Sequence, residues 1–288
     1  MIKLIATDMD GTLLSDDGSI NENFFDLIHD LNKKNINFAA ASGRFYSQLK
    51  KNFEKVGTDM IFIAHNGALI KYNNKGKTLY SNSIHKKEIE HVINLMPQLG
   101  EELFLAGENE AYIINPTEKM LDEFTRVHVP VVILKSFSET KNAIYKITYY
   151  MAKGVKPNII KFLEENLDDT LEFVVSGDKW IDIMNKGISK GTAIKILQEK
   201  FEIDQRNTMA FGDYYNDLTM FKVACYSYAM KNAPEDVKKH ANFIAGSNNE
   251  DGVYNEITSA LNISGGNKVV CRQNDNSCHI KCNKREIE

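Results

Sequence analysis

The chain has 288 residues, 43% of them hydrophobic, and a formal net charge of −4. That length suits about two domains of ordinary size, each able to bury a core. The mild acidity offers no basic face for nucleic acid, and the longest apolar runs fall far short of the ~20 residues a membrane span needs, so neither a nucleic acid nor a membrane is an expected partner.

The first acidic residue, Asp8, comes too early for a signal peptide, and the expected location is cytoplasmic. Residues 2–7 form an apolar run that ends at Asp8, with Asp10, Gly11 and Thr12 close behind. In "INENFFDLIHDLNKKN", Ile20, Phe24, Leu27, Ile28 and Leu31 recur at helical spacing. "INFAAAS" is a second buried-strand candidate, "FYSQLKKNFEKV" a second amphipathic helix and "MIFIA" a third strand. Alternation of this kind predicts a parallel sheet with helices on both faces. "ALIKYNNKGKTLYS" then reads as a hairpin.

The texture changes from about His85 to Asn185. The order there is helix, strand, strand, helix, strand, strand, helix and two strands, which suits a small antiparallel sheet with helices on one side. After Lys186 the α/β texture returns: "SKGTAIKILQEKF" is a helix, "TMAFG" a strand, "NDLTMF" a helix start and "CYSYAM" a strand. "APEDVKKHA", "NFIAG" and "EDGVYNEITSAL" complete the alternation. The simplest organisation is a Rossmann-like parallel-sheet core of residues 1–84 and 186–263, an inserted α+β cap domain of residues 85–185, and a polar tail of residues 264–288. Four cysteines make no disulfide framework in a chain this long. Cys225 reads as a small core residue, and Cys271, Cys278, Cys282 and His279 crowd the tail at spacings that match no standard zinc site.

Open parallel sheets bind ligands just beyond the carboxyl ends of their strands. The first core strand delivers Asp8, Asp10 and Thr12 there; the second delivers Ser42, Gly43 and Arg44; the third delivers Asn66 and Gly67. After the insert, Lys190 opens a helix behind Ser189, and the next strand delivers Asp213, followed by Asn216 and Asp217. Asp8, Asp10, Asp213 and Asp217 supply hard anionic oxygens suited to Mg²⁺. Lys190 at a helix N-terminus, with the hydroxyls of Ser42 and Thr12, suits an anion. Metal and anion together point to a phosphoryl group. Asn66-Gly67 fits a type I′ turn as well as it fits a site, and Asn216 fits a helix cap.

In this order "DMDGT", "SGR", "SKG" and "GDYYND" resemble the four motifs of the haloacid dehalogenase superfamily of phosphatases, and "HNGA", "EDGV" and the position of the insert resemble its Cof-like subfamily. The resemblance spans about residues 1–263. It departs at Tyr214, where the family usually has Asn, and at Ala245-Gly246, where a threonine is common. It implies a Mg²⁺-dependent phosphatase of small phosphorylated metabolites, sugar phosphates foremost, acting through an aspartyl phosphate. Asp8 is then the nucleophile and Asp10 the acid and base. Mg²⁺ is held by Asp8, the backbone carbonyl of Asp10 and Asp213, with Asp217 close by. The phosphate-binding group is Thr12, Ser42, Gly43, Lys190 and Asn216, and Arg44 and Asn66 face the substrate. The cap excludes water and chooses the leaving group. The alternatives are a phosphomutase or phosphotransferase on the same core, and a non-catalytic phospho-ligand binding protein. The expected assembly is a monomer or a weak homo-oligomer.

Overall fold

The computed structural model describes residues 1–74, 76–99, 102–175 and 179–262. The polar tail with its three cysteines lies outside the described residues. The chain opens with β1 (Leu4–Asp8), α1 (Asn23–Lys33), β2 (Asn37–Ala41), α2 (Tyr46–Asn52) and β3 (Ile61–Ala64), followed by β4 (Leu69–Tyr72) and β5 (Thr78–Ser81). Next come α3 (Lys86–Leu99), β6 (Glu102–Ala106), β7 (Ala111–Ile113), α4 (Glu118–Arg126), β8 (Val131–Ile133), β9 (Lys146–Tyr150), α5 (Pro157–Asn166), β10 (Leu171–Val175) and β11 (Trp180–Asn185). The last stretch holds α6 (Lys190–Phe201), β12 (Thr208–Gly212), α7 (Leu218–Phe221), β13 (Tyr226–Met230), α8 (Glu235–Lys238), β14 (Phe243–Ala245) and α9 (Gly252–Asn262).

The main sheet runs β14-β13-β12-β1-β2-β3-β4-β5. It is parallel from β14 to β3, and β4 and β5 add an antiparallel edge. Strands buried on both faces must be apolar throughout. Leu4, Ala6, Ile61 and Ile63 accordingly face Ala193, Ile194 and Leu197 of α6 and Met220 of α7, while Ile5, Phe38, Phe62 and Phe211 face Phe24, Ile28 and Leu31 of α1 and Ile257 of α9. α1 buries Phe24, Leu27, Ile28 and Leu31, the stripe its spacing dictates. β1 lies between β2 and β12, so segments on either side of the insert meet at the middle of one sheet.

A second sheet, β10-β11-β9-β6-β7-β8, is built wholly from the insert. Its pairings are antiparallel except β7 with β8. Helices cover both of its faces, not one. Leu103, Leu105, Ile147, Tyr149, Ile181 and Ile183 pack with Val92 of α3 and Leu163 of α5. On the opposite face Phe104, Ala106, Ala111 and Ile113 form an apolar patch of their own, closed by Met120 and Phe124 of α4 and by Phe45 from the main domain. The rest of that face looks toward the carboxyl ends of the main-sheet strands. Among the described residues, no helix is long and apolar enough to cross a membrane.

Candidate active site

Asp8 is the last residue of β1 and is nearly buried. Lys190 is the first residue of α6, and its helix is capped by the Ser189 hydroxyl, which accepts from the Thr192 N–H. The cap fixes the start of α6 and therefore where Lys190 points. Its ammonium donates to Asp8 Oδ1 at 2.5 Å and to Asp217 Oδ1 at 2.7 Å. All three side chains are at most 9% exposed, so each charge depends on the others. Asp217 Oδ2 accepts the backbone N–H groups of Asp213 and Tyr214, both at 3.0 Å, which fixes the loop after β12. Asp213 Oδ1 accepts the Thr12 hydroxyl at 2.8 Å. The turn between Asp10 and Thr12 has to pass close to Asp213: at Gly11, φ is +73° and a Cβ would lie 2.4 Å from Asp213 Oδ2.

Burial, reinforced by the neighbouring Asp217 carboxylate and opposed by Lys190, holds the Asp8 carboxyl well above the usual carboxylate range. Burial also lifts Asp213 to about 6 despite its hydrogen bond from Thr12. Burial works against the Lys190 charge, but Asp217 and Asp8 outweigh it and push its proton affinity up. One carboxylate oxygen from each of Asp8, Asp213 and Asp217 lies within 4.8 Å of the others. Three carboxylates against one ammonium leave excess negative charge in a buried place, which a divalent cation with a preference for hard oxygens fits. Asp217 has both oxygens engaged by Lys190 and by backbone N–H groups, so Asp8 and Asp213 are the side chains with the most freedom to take a cation.

The remaining expected site residues differ in burial and in partners. The Asp10 side chain is largely exposed and is gripped by Arg44, with Nε to Oδ2 at 2.9 Å and a terminal nitrogen to Oδ1 at 2.5 Å. The Asp10 carboxylate is therefore outside the three-carboxylate cluster. Thr12 is buried with its hydroxyl on Asp213. Ser42 follows β2 and is buried, and its hydroxyl accepts from the Arg44 N–H at 3.2 Å. The Gly43 carbonyl accepts from Lys146 on the second sheet. Asn216 is exposed in a short 3-10 turn before α7. Asn66 is a turn residue. It belongs to the turn joining β3 to β4, where His65 and Asn66 are the non-glycine left-handed residues, and its side chain lies beside Gly43.

Sequence reasoning missed a polar group on the second sheet. Lys146 donates to Asp182 Oδ2 at 3.1 Å and to the Gly43 carbonyl at 3.2 Å, and the Thr148 hydroxyl donates to Asp182 Oδ1 at 2.8 Å. A signal existed: Lys146 and Asp182 are single charges inside the apolar strands "AIYKITYYM" and "WIDIM". His65 was also missed. It is fully buried between Phe45 and Tyr145, and the backbone of Gly107 and Glu108 lies near its ring without hydrogen-bonding geometry. Trp180 is only partly buried and packs on Tyr150 and Phe104. Cys225 is likewise half-buried.

Residues 5–257 match the family of haloacid dehalogenase-like hydrolases. A 5-amino-6-(5-phospho-D-ribitylamino)uracil phosphatase of Escherichia coli, YbjI, is 30% identical over 263 residues, covering 90% of this chain and 96% of that protein. Among solved structures, SMU.1108c from Streptococcus mutans superposes with a TM-score of 0.80 at 32% identity, over 91% of this chain and 99% of its own. The fold also matches the subclass IIB sugar phosphatase BT4131, with a TM-score of 0.73 at 24% identity over 90% of this chain and 99% of that one. The chain belongs to the haloacid dehalogenase-like hydrolases and is a phosphatase of their Cof-like branch, in which an inserted second sheet stands over the main one.

Proposed function

We propose that the protein hydrolyses phosphate monoesters of sugars or polyols with Mg²⁺, through a phosphoryl group carried transiently on Asp8. The observation that carries this reading is the placement of Asp8. It ends the central strand, is held by a buried Lys190 at 2.5 Å, and lies within a cluster of carboxylates that a divalent cation fits. A nucleophile on a rigid strand end can be held in line with phosphorus. Mg²⁺ bound by Asp8 and Asp213 would supply positive charge against the phosphoryl oxygens.

In the first step an Asp8 oxygen forms a bond to phosphorus and the ester P–O bond breaks. The electron pair leaves with the alcohol oxygen, which takes a proton from Asp10. In the second step water attacks that phosphorus and gives a proton back to Asp10. The bond from phosphorus to Asp8 breaks, its pair returns to the carboxylate, and inorganic phosphate is freed. Lys190 and the backbone around Ser42 and Gly43 stabilise the charge that spreads over the phosphoryl oxygens, where such reactions need it most. Arg44 holds the Asp10 carboxylate at the mouth of the site. The relative that acts on a phosphoribityl compound supports a hydroxylated leaving group.

Phosphate release from a panel of sugar, polyol and nucleoside monophosphates, with Mg²⁺ or with EDTA, tests the reading. Release is expected only with metal and is expected to vanish in Asp8→Asn. A folded protein that releases phosphate from every substrate equally well after Asp8→Asn would sink it.

A further inference from the structure

The second sheet carries a buried charged pair that phosphoryl chemistry does not use. On β9, Lys146, Thr148 and Tyr150 alternate onto the face opposite Ile147 and Tyr149, and Asp182 pairs with Thr148 across β11. This face looks toward the active site. Lys146 and Asp182 are 7% and 5% exposed, and they reach the site itself, because the Lys146 ammonium holds the carbonyl of Gly43. Gly43 stands between Ser42 and Arg44, and Arg44 grips Asp10. On the main-sheet side a Cβ on Gly43 would lie 3.1 Å from Asn66 Oδ1, a buried acceptor with no hydrogen-bond partner.

A buried ion pair is a poor source of stability; apolar residues of like volume do as well or better. Its chemistry here is specific: a cationic donor and an anionic acceptor 3.1 Å apart, beside an amide oxygen that lacks a donor. Adjacent hydroxyls on a carbon chain present the complement, one oxygen accepting from Lys146 and the neighbouring O–H donating to Asp182. Resting on the phosphatase reading, we propose that Lys146 and Asp182, with Asn66 across the seam, read neighbouring hydroxyls on the leaving group. They thereby select polyol and sugar phosphates over esters whose leaving group has none. Because Lys146 also holds Gly43, engaging the leaving group settles the loop that carries Ser42 and Arg44.

The test compares kcat/KM for ribitol 5-phosphate and glucose 6-phosphate with that for phenyl phosphate, in the wild type, Asp182→Asn and Lys146→Met. The better of the two hydroxylated esters is expected to be preferred by the wild type. Each substitution is expected to lower that preference by about 10- to 100-fold, the size of a hydrogen bond to a charged group. A preference unchanged within threefold, even with both rates reduced, means that the pair only joins the two sheets and overturns the proposal. A wild type with no preference overturns it as well. A folded wild type that hydrolyses none of the three esters overturns the phosphatase reading and this one with it. Should either single variant fail to fold, Lys146→Met/Asp182→Leu removes both charges together, and its preference is read in the same way.

Discussion

Lys190 is the side chain on which the charge balance of the site rests. Two buried carboxylates share its ammonium, and neither Asp8 nor Asp217 has another cation within ion-pair distance among the described residues. Replacing it by Met keeps most of the side chain's length and strands both charges. Stability to urea should fall by about 3–5 kcal/mol, as it does when one member of a buried pair is lost, and phosphate release should disappear with it. A Lys190→Met protein as stable as the wild type would show that the ammonium does not carry the charge balance of the site. Asp8, Lys190, Asp213 and Asp217 were legible in the sequence because each sits where a strand ends or a helix begins, and such positions hold polar residues only for capping or chemistry. Lys146 and Asp182 stood out only as single charges in apolar strands, a weak signal, because a charge in mid-strand ordinarily marks a solvent face. Only the packing shows that this face is turned inward.

At the scale of elements, the order of strands and helices followed from hydrophobic periodicity, including the change of texture at the insert. Lengths were harder to read. The helix expected over 45–56 ends at Asn52, because Phe53 leaves it to pack on Phe38 and Phe62, and α8 keeps only four residues. The seam between the sheets was invisible to pattern, since turn residues of the second sheet meet α2 and β4 of the first. The Lys71 ammonium meets Glu108 at 2.5 Å, the Tyr46 N–H donates to the Glu108 carbonyl, and the Gln48 amide donates to the Val127 carbonyl. His65 lies at this seam. Burial, aided by the Lys146 charge, pushes its imidazole down to about 3. An unfolded histidine takes a proton near 6.5, so the stabilisation is complete above that pH and is lost as pH falls from about 6.5 toward 3. His65→Phe keeps an aromatic ring against Tyr145 and cannot titrate. Between pH 7 and pH 5 its melting temperature should fall less than that of the wild type. Parallel curves would mean that His65 is wetter, or better paired, than its surroundings indicate.

At the scale of the molecule, the two portions of the core are tied through the carboxylates of Asp8 and Asp213, which lie at the ends of neighbouring strands. Asp213 has its affinity for a proton raised by burial to about 6. A carboxyl whose pKa rises on folding favours the folded state at acid pH, and that benefit fades as pH climbs through about 6. Above it the metal-free protein carries unscreened charge that a cation relieves. The increase in melting temperature on adding Mg²⁺ should therefore be larger at pH 7.5 than at pH 5.5. Comparing the increment at each pH cancels the opposing effect of His65. An increment that grows toward acid pH would place the ion elsewhere.

The position of β1 also bears on how the protein is made. Its register partner in β12, Thr208, is encoded about 200 residues after Leu4, beyond the whole of the second sheet. At ~5–20 residues per second a ribosome needs tens of seconds to cover that distance. Throughout that time one edge of an apolar strand, "LIAT", has no neighbour, while the inserted sheet, whose pairings all fall within its own segment, can close first. The strand that bears Asp8 is thus made before the rest of its sheet and is among the last completed. For that interval the nascent chain presents a strand edge of the kind that chaperones cover and that otherwise recruits other chains.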